Sequence, residues 1–211
     1  MANSKKIYEY RGVSDAVYAE ILKDDGENFE TGEVKPFVGV SEIGKTTESS
    51  NEPHYYDNIP AIIICSTGSD EISITGSAFP MDTLAEITGQ YYDEKTGMMV
   101  ECERTPKYFA FGYRTKRTDG TEVLVWRLKG SFSIPDATHA TEDDGTDANG
   151  QEITYTGIST TNKFTKTGKP AKAVNVDMGL DLVDGSTFFD TVQTPDSVKA
   201  KEQGTKNIDR Q

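Results

Sequence analysis

The hydrophobic residues of this chain fall in short groups separated by polar and glycine-containing stretches, and the groups alternate with a period of two. In DEISITGSAF, Ile72 and Ile74 point one way while Ser73 and Thr75 point the other, as on a half-buried strand. The clearest pair is KYFAFGYRTK and TEVLVWRLKGSFSI, separated by RTDG, which reads as a β-hairpin. Phe109, Phe111 and Tyr113 alternate on the first strand, and Leu124, Trp126 and Leu128 on the second. Their outward neighbours are Arg114, Lys116, Arg127 and Lys129, so the pattern predicts an antiparallel sheet packed on one side.

Around this centre the elements are shorter. Residues up to Leu22 mix both periods, and their Val-Tyr content favours strand. A polar stretch follows over 23–33, then a short strand over 33–40. Residues 44–58, GKTTESSNEPHYYDN, have no helical period and read as a long exposed loop. IPAIIICST and DEISITGSAF read as two strands joined through Thr67, Gly68, Ser69 and Asp70, and MMVECER as another strand. PMDTLAEITG predicts the best helix, with Asp82 as its cap, Leu84 and Ile87 on one face, and Gly89 just past its end. Residues 136–152 form an acidic, turn-rich loop without Lys or Arg, and EITYTGIST resumes as a strand with Ile153 and Tyr155 on one face. In DGSTFFDTV, Ser186 caps a short helix, and the charged tail after Pro195 has little to bury. The fold class predicted is mainly β: an antiparallel two-sheet β-sandwich with one short flanking helix. Residues 1–193 make one domain, with 44–58 as its extended loop and 194–211 as a flexible C-terminal arm.

Composition narrows the function. The formal net charge of −13 opposes nucleic-acid or anionic-lipid binding by the general surface. No apolar run approaches the roughly 20 residues of a membrane span, and the N-terminus MANSKKIYEY lacks the apolar core of a secretory signal. The expectation is a soluble chain made in the cytosol, with Cys65 and Cys102 reduced and partly buried.

One motif suggests catalysis. GVSEIGKT, residues 39–46, matches G-x-x-x-x-G-K-[ST], the pattern of a phosphate-binding loop. Such a loop works by presenting N–H groups at the start of a helix, and TESSNEP cannot supply one. Asp147, Asn149 and Gly150 resemble part of a calcium loop, but its first and twelfth positions, Gly145 and Thr156, are not carboxylates. His54 and His139 lie in polar surroundings outside any metalloprotease or nucleophile-elbow motif. No catalytic, cofactor-binding or metal-ligating residue is predicted.

The order of the pieces carries a resemblance. GVSDAVYAEI, YYDNIPA, DEISITGSAFPMDTLAEITGQYYDEKTGMMVE, PKYFAFGYRTKRTDGTEVLVWRLKGSFSIPD and STFFDTVQTP, in that order, resemble the major tail proteins of long-tailed, non-contractile bacteriophages. The resemblance implies a structural virion protein rather than an enzyme, assembled in the host cytoplasm into stacked hexameric rings. The resulting tube is the conduit for genome ejection, and double-stranded DNA passes through its lumen without specific binding. Partners would be further copies, together with tape-measure, tail-terminator and distal tail proteins, and no membrane. Inter-subunit contacts are expected at Lys45, Tyr55, Tyr56, Asp57, Asn58, Arg114 and Arg127. A carbohydrate-binding or adhesive module is the alternative, with Tyr55, Tyr56, Tyr91 and Tyr92 stacking on sugars.

Overall fold

The computed structural model describes residues 7–139, 141 and 149–201. Among the described residues the chain is mainly antiparallel β structure with one α-helix. In chain order the elements are β1 (Tyr10–Asp24), β2 (Phe29–Thr31), β3 (Lys35–Pro36), β4 (Val40–Tyr56), β5 (Ile59–Gly76), α1 (Met81–Thr88), β6 (Tyr91–Asp93), β7 (Met98–Val100), β8 (Phe109–Arg117), β9 (Glu122–Phe132), β10 (Asp136–Ala137), β11 (Gln151–Ile158), β12 (Ala173–Asp177) and a 3-10 turn (Met178–Leu180). Ten strands share one hydrogen-bonded network whose main path runs β2-β1-β8-β9-β11-β5-β4, and β6 and β7 form a separate ribbon. The network forks at β9. Its first half pairs with β12 through Val123–Arg127, and its second half with β11 through Lys129–Phe132. The path also curls, because β3 pairs with β1 and leads directly into β4, which returns to contact β1.

The central hairpin forms as its pattern predicts, but its two apolar sets face opposite ways. The register places Phe111 opposite Arg127 and Leu124 opposite Arg114. Phe109, Phe111, Tyr113, Val123 and Val125 therefore enter a core inside the curl, with Tyr18, Ile72, Ile74, Phe132, Ile153 and Tyr155. Leu124, Trp126 and Leu128 enter a second core on the other face, under Phe164, Phe188 and Val192. A one-sided sheet was the sequence expectation; a one-residue change of phase between the strands makes it two-sided. Large residues on one strand face small ones on the other. Gly112 lies beside Trp126, and a Cβ there would approach Val17 Cγ2 at 2.9 Å and the indole at 3.0 Å. The indole N–H donates to the Phe188 carbonyl at 3.0 Å, which ties the C-terminal turns onto this face.

The helix forms where predicted, but Asp82 lies in its first turn and Pro80 stands at the N-cap without a side-chain cap. Gly89 closes the helix at φ 71°, and backbone bonds run from Gly89 N–H to Glu86 and from Gln90 N–H to Ala85. Ile87 is buried in the inner core, and the Tyr18 hydroxyl donates to Glu86 at 2.8 Å. Burial, then the Glu86 carboxylate, pushes the Tyr18 phenol up, so it stays a neutral donor.

Four other expectations need correction. Residues 59–76 are one continuous strand, because the 67–70 segment stays in register with β4 instead of turning. DGSTFFDTV makes successive turns rather than a helix, and Asp184, not Ser186, accepts from a backbone N–H there. Cys65 and Cys102 are both exposed. The segment from Thr194 to Lys201 is tied to the body: Asp196 accepts from Thr165 and Lys166 N–H, and Lys201 N–H donates to Leu182. The rest of the predicted C-terminal arm, and residues 145–148 of the calcium-loop candidate, Asp147 among them, lie outside the described residues.

Replacing Gly112 with alanine should destabilise the fold by about 1–3 kcal/mol, because neither Trp126 nor the β1 backbone bearing Val17 can easily retreat. Chemical denaturation measures this. A change below about 0.5 kcal/mol would show that the indole is not held against the glycine.

Candidate functional site

Residues 44–58 are not a loop. They form β4, which pairs with β5 from Val40↔Gly76 to Tyr56↔Ile59. Asp57 and Asn58 make the turn, with φ values of 51° and 65°. Left-handed backbone at both central positions gives a two-residue hairpin, and Asp and Asn tolerate that region better than other non-glycine residues. Pro53 is accommodated because β4 pairs on one side only among the described residues.

Gly44 and Lys45 accordingly lie within a strand, opposite Ser73 and Ile72. The phosphate-loop match therefore has no loop and is followed by further strand instead of a helix N-terminus. Among the described residues no three His, Cys, Asp or Glu side chains gather as a metal site would require.

The outer part of this hairpin stands clear of the body. Every residue from 48 to 68 is exposed, on both faces of the ribbon. Nine residues of strand separate the Thr47↔Asp70 pair from the tip, so the arm reaches about 30 Å. Its surface is unusual for a projecting ribbon. Tyr55, Tyr56, Ile59, Ile62, Ile63 and Ile64 are each between 51% and 65% exposed, and they occupy both faces of the ribbon. Large grouped apolar side chains left in water mark an interaction surface. An isolated two-stranded ribbon is at best marginally stable, so something must hold its base.

Asp70 does this. Its side chain is 5% exposed and lies where the ribbon leaves the core. Thr47 Oγ1, from the facing strand, donates to Asp70 Oδ1 at 2.9 Å. Arg127 Nη1 lies 3.3 Å from Oδ2, Lys45 Nζ 3.8 Å from Oδ2, and Lys172 Nζ 3.4 Å from Oδ1. Lys172 also donates to the Gly68 carbonyl, reaching the first residues of the arm. Strands β4, β5 and β9 and the residue before β12 are thereby joined through one carboxylate. A Glu48 bulge in the pairing follows directly, between Thr47 and Ser49, and adds twist where the arm departs.

Beside this hub a cleft of about 760 Å³ opens between β1, β4, β8 and β9. Val13, Ile43, Tyr113 and Val125 give it an apolar floor, Lys45, Arg117 and Arg127 give it cations, and Glu42 and Asp177 give it carboxylates. Arg117 pairs with Asp177 at 2.7 Å, and the bond raises the guanidinium and lowers the carboxyl from their ordinary values. Arg127 is only 8% exposed, and its buried Nε has no hydrogen-bond partner. Arg127 is thus a buried member of the hub, where the sequence pattern expected an outward charge.

The residues expected at subunit contacts divide into three groups. Tyr55, Tyr56, Asp57 and Asn58 are together at the arm tip, and Lys45 and Arg127 are together on Asp70 at its root. Arg114 stands apart, paired with Asp15 at 2.7 Å and Glu122 at 2.8 Å. Of the four tyrosines expected to stack on sugars in the alternative reading, Tyr91 and Tyr92 lie on the separate β6–β7 ribbon, and of these two Tyr91 is exposed and Tyr92 half-buried. Asp70 and the exposed isoleucines were not anticipated. The run AIIIC signalled a buried strand, and an acid within STGSDE resembled a turn residue. Comparison with known proteins finds no matching family model and no matching curated relative.

Asp70→Ala should cost about 3–5 kcal/mol, because it leaves Arg127 buried without a counter-charge. Urea denaturation reads this directly. A loss below about 1 kcal/mol would mean that the hub does not hold the root of the arm.

Proposed function

We propose that this chain is a self-assembling structural subunit, and that its assembled form is the tail tube of a long-tailed, non-contractile bacteriophage. The observation that carries the reading is the arm: about 30 Å of anchored ribbon bearing six exposed large apolar side chains. In this reading the arm is covered by other copies of the chain.

Magnitudes favour assembly through many such contacts rather than one. Fully burying a large aliphatic or aromatic side chain contributes roughly 1.5–3 kcal/mol, and these six are 51–65% exposed, so covering them adds about 5–10 kcal/mol. Bringing two molecules together costs about 4–15 kcal/mol. A single arm contact is therefore near break-even, and stability comes when several close at once, as in a ring stacked on another ring. Tyr55 and Tyr56 suit the centre of such a contact, where aromatic residues dominate binding.

The sheet edges fit the same reading. β4 and β2 terminate the main path, so each leaves one edge unpaired among the described residues. β2 is three residues long, and β4 carries Lys45, Glu48, Glu52 and Pro53, devices that discourage indiscriminate strand pairing. Contact with a defined neighbour is left as the way to complete these edges. The forked and curled sheet is then the two-layer sandwich of a tube subunit, with hexameric rings around a lumen. A chain of net charge −13 provides carboxylates to repel DNA phosphates there, within a reach of about 10 Å at 0.1 M salt. Tape-measure, terminator and distal tail proteins are the partners at the ends of such a tube.

Replacing residues 49–67 with Asn-Gly removes the arm while keeping the root and its hub. The shortened protein should fold with stability close to that of the parent and remain monomeric at concentrations where the parent forms tubes in negative-stain images. Tubes of normal appearance from the shortened protein, or a parent that stays monomeric at every concentration, would overturn the reading.

A further inference from the structure

We infer that the cleft beside Asp70 is the socket for the arm tip of a second copy of this chain. The inference rests on self-assembly as proposed above and specifies which surface receives the arm.

Charge is the first argument. Lys45, Arg127 and Lys172 all form their ion pairs with Asp70, so three cations share one carboxylate. Lys45, Arg117 and Arg127 line the cleft against the carboxylates of Glu42 and Asp177, so cations outnumber anions there, and Arg127 is more than nine-tenths buried. A further carboxylate at this cleft balances the excess of cations. The arm tip carries such a group. Asp57 sits at the first position of a two-residue turn, the narrowest end of the ribbon.

Shape and polarity give the second argument. The residues flanking Asp57 in space are Tyr55, Tyr56 and Ile59, all exposed, and the cleft floor of Val13, Ile43, Tyr113 and Val125 provides an apolar bed for them. A phenol ring buries its body and leaves its hydroxyl to the polar rim formed by Tyr10, Ser41 and Asn175.

Distance gives the third. Lys45 and Asp57 are twelve residues apart on one extended strand, about 40 Å. A copy therefore cannot plug its own socket, and the contact runs between molecules. Socket and plug are different surfaces of the same chain, so the contact is head-to-tail and propagates into rings or open stacks instead of ending at a dimer.

The test uses two full-length variants in a Cys65→Ser, Cys102→Ser background, one carrying Ile59→Cys on the tip and the other Ser41→Cys at the cleft mouth. Both substituted positions are exposed, so folding should be unaffected, which circular dichroism checks. Mixed and oxidised under assembly conditions, the two should form a covalent pair on a non-reducing gel, and neither alone should do so to the same extent. Asp57→Lys in the natural sequence should raise the concentration needed for assembly at least tenfold. Tubes that form normally with no cross-link, together with Asp57→Lys tubes at the parental concentration, would overturn the socket and leave self-assembly standing. A parent chain that stays monomeric throughout would overturn self-assembly and the socket together.

Discussion

One buried carboxylate decides where the longest ribbon of this protein stops being core and becomes arm. Asp70 accepts from Thr47 across the hairpin and faces Arg127, Lys45 and Lys172 from three directions. Inward of it, Ile72 and Ile74 are fully buried. Outward of it, every residue from 48 to 68 is exposed. A charge in a low-dielectric setting is tolerated only when its partners are fixed, and fixing them joins three strands at the point of greatest leverage. Without that joint the arm would be a ribbon too narrow to keep its own direction.

The rest of the architecture makes the joint rigid. The sheet is covered on both faces, by the aromatic cluster inside its curl and by the C-terminal turns outside. Tyr155 shows how tightly the inner face is packed. Its ring occupies the space a Cβ at Gly130 would need, 2.4 Å away, and its hydroxyl donates to the Phe109 carbonyl at 2.9 Å. Burial drives that phenol up, against the nearby Arg127 cation and reinforced by Asp70, so it stays protonated in its bond. Trp126 performs the same closing role on the outer face through Phe188. A projecting arm on a rigid body loses less freedom on docking than a floppy loop of equal length, which favours precise contacts over merely adhesive ones.

What the sequence disclosed follows from where one-sided burial exists. β5 inward of Asp70, β11 and α1 were readable because each buries one face, and burial on one face is what produces a period. The hairpin β8–β9 was readable as two strands, but not as two-sided, because alternation within a strand does not report its phase relative to the next. Residues 48–56 gave no strand signal at all. Both of their faces meet water, so ESSNEPHYY needed no alternation, and its proline sits on a free edge. AIIIC gave the opposite error. Its isoleucines alternate faces on an exposed ribbon, so a run that normally means a buried strand here marks an apolar surface left in water. Tyr55, Tyr56, Asp57 and Asn58 lie together, since adjacency in sequence is adjacency at a hairpin tip. The meeting of Lys45 and Arg127 on Asp70 depends on pairings across β4, β5, β11 and β9, which no local pattern encodes.

The claim beneath all of this is that the arm is bare in the single molecule and covered in the assembly. Amide hydrogen exchange across residues 49–67, followed in dilute protein and again in concentrated, assembled protein, measures that directly. The account predicts fast exchange in the dilute sample and strong slowing on assembly, with residues 70–76 slow in both. Arm amides that are already protected in the monomer, or that stay fast while particles form, would contradict it.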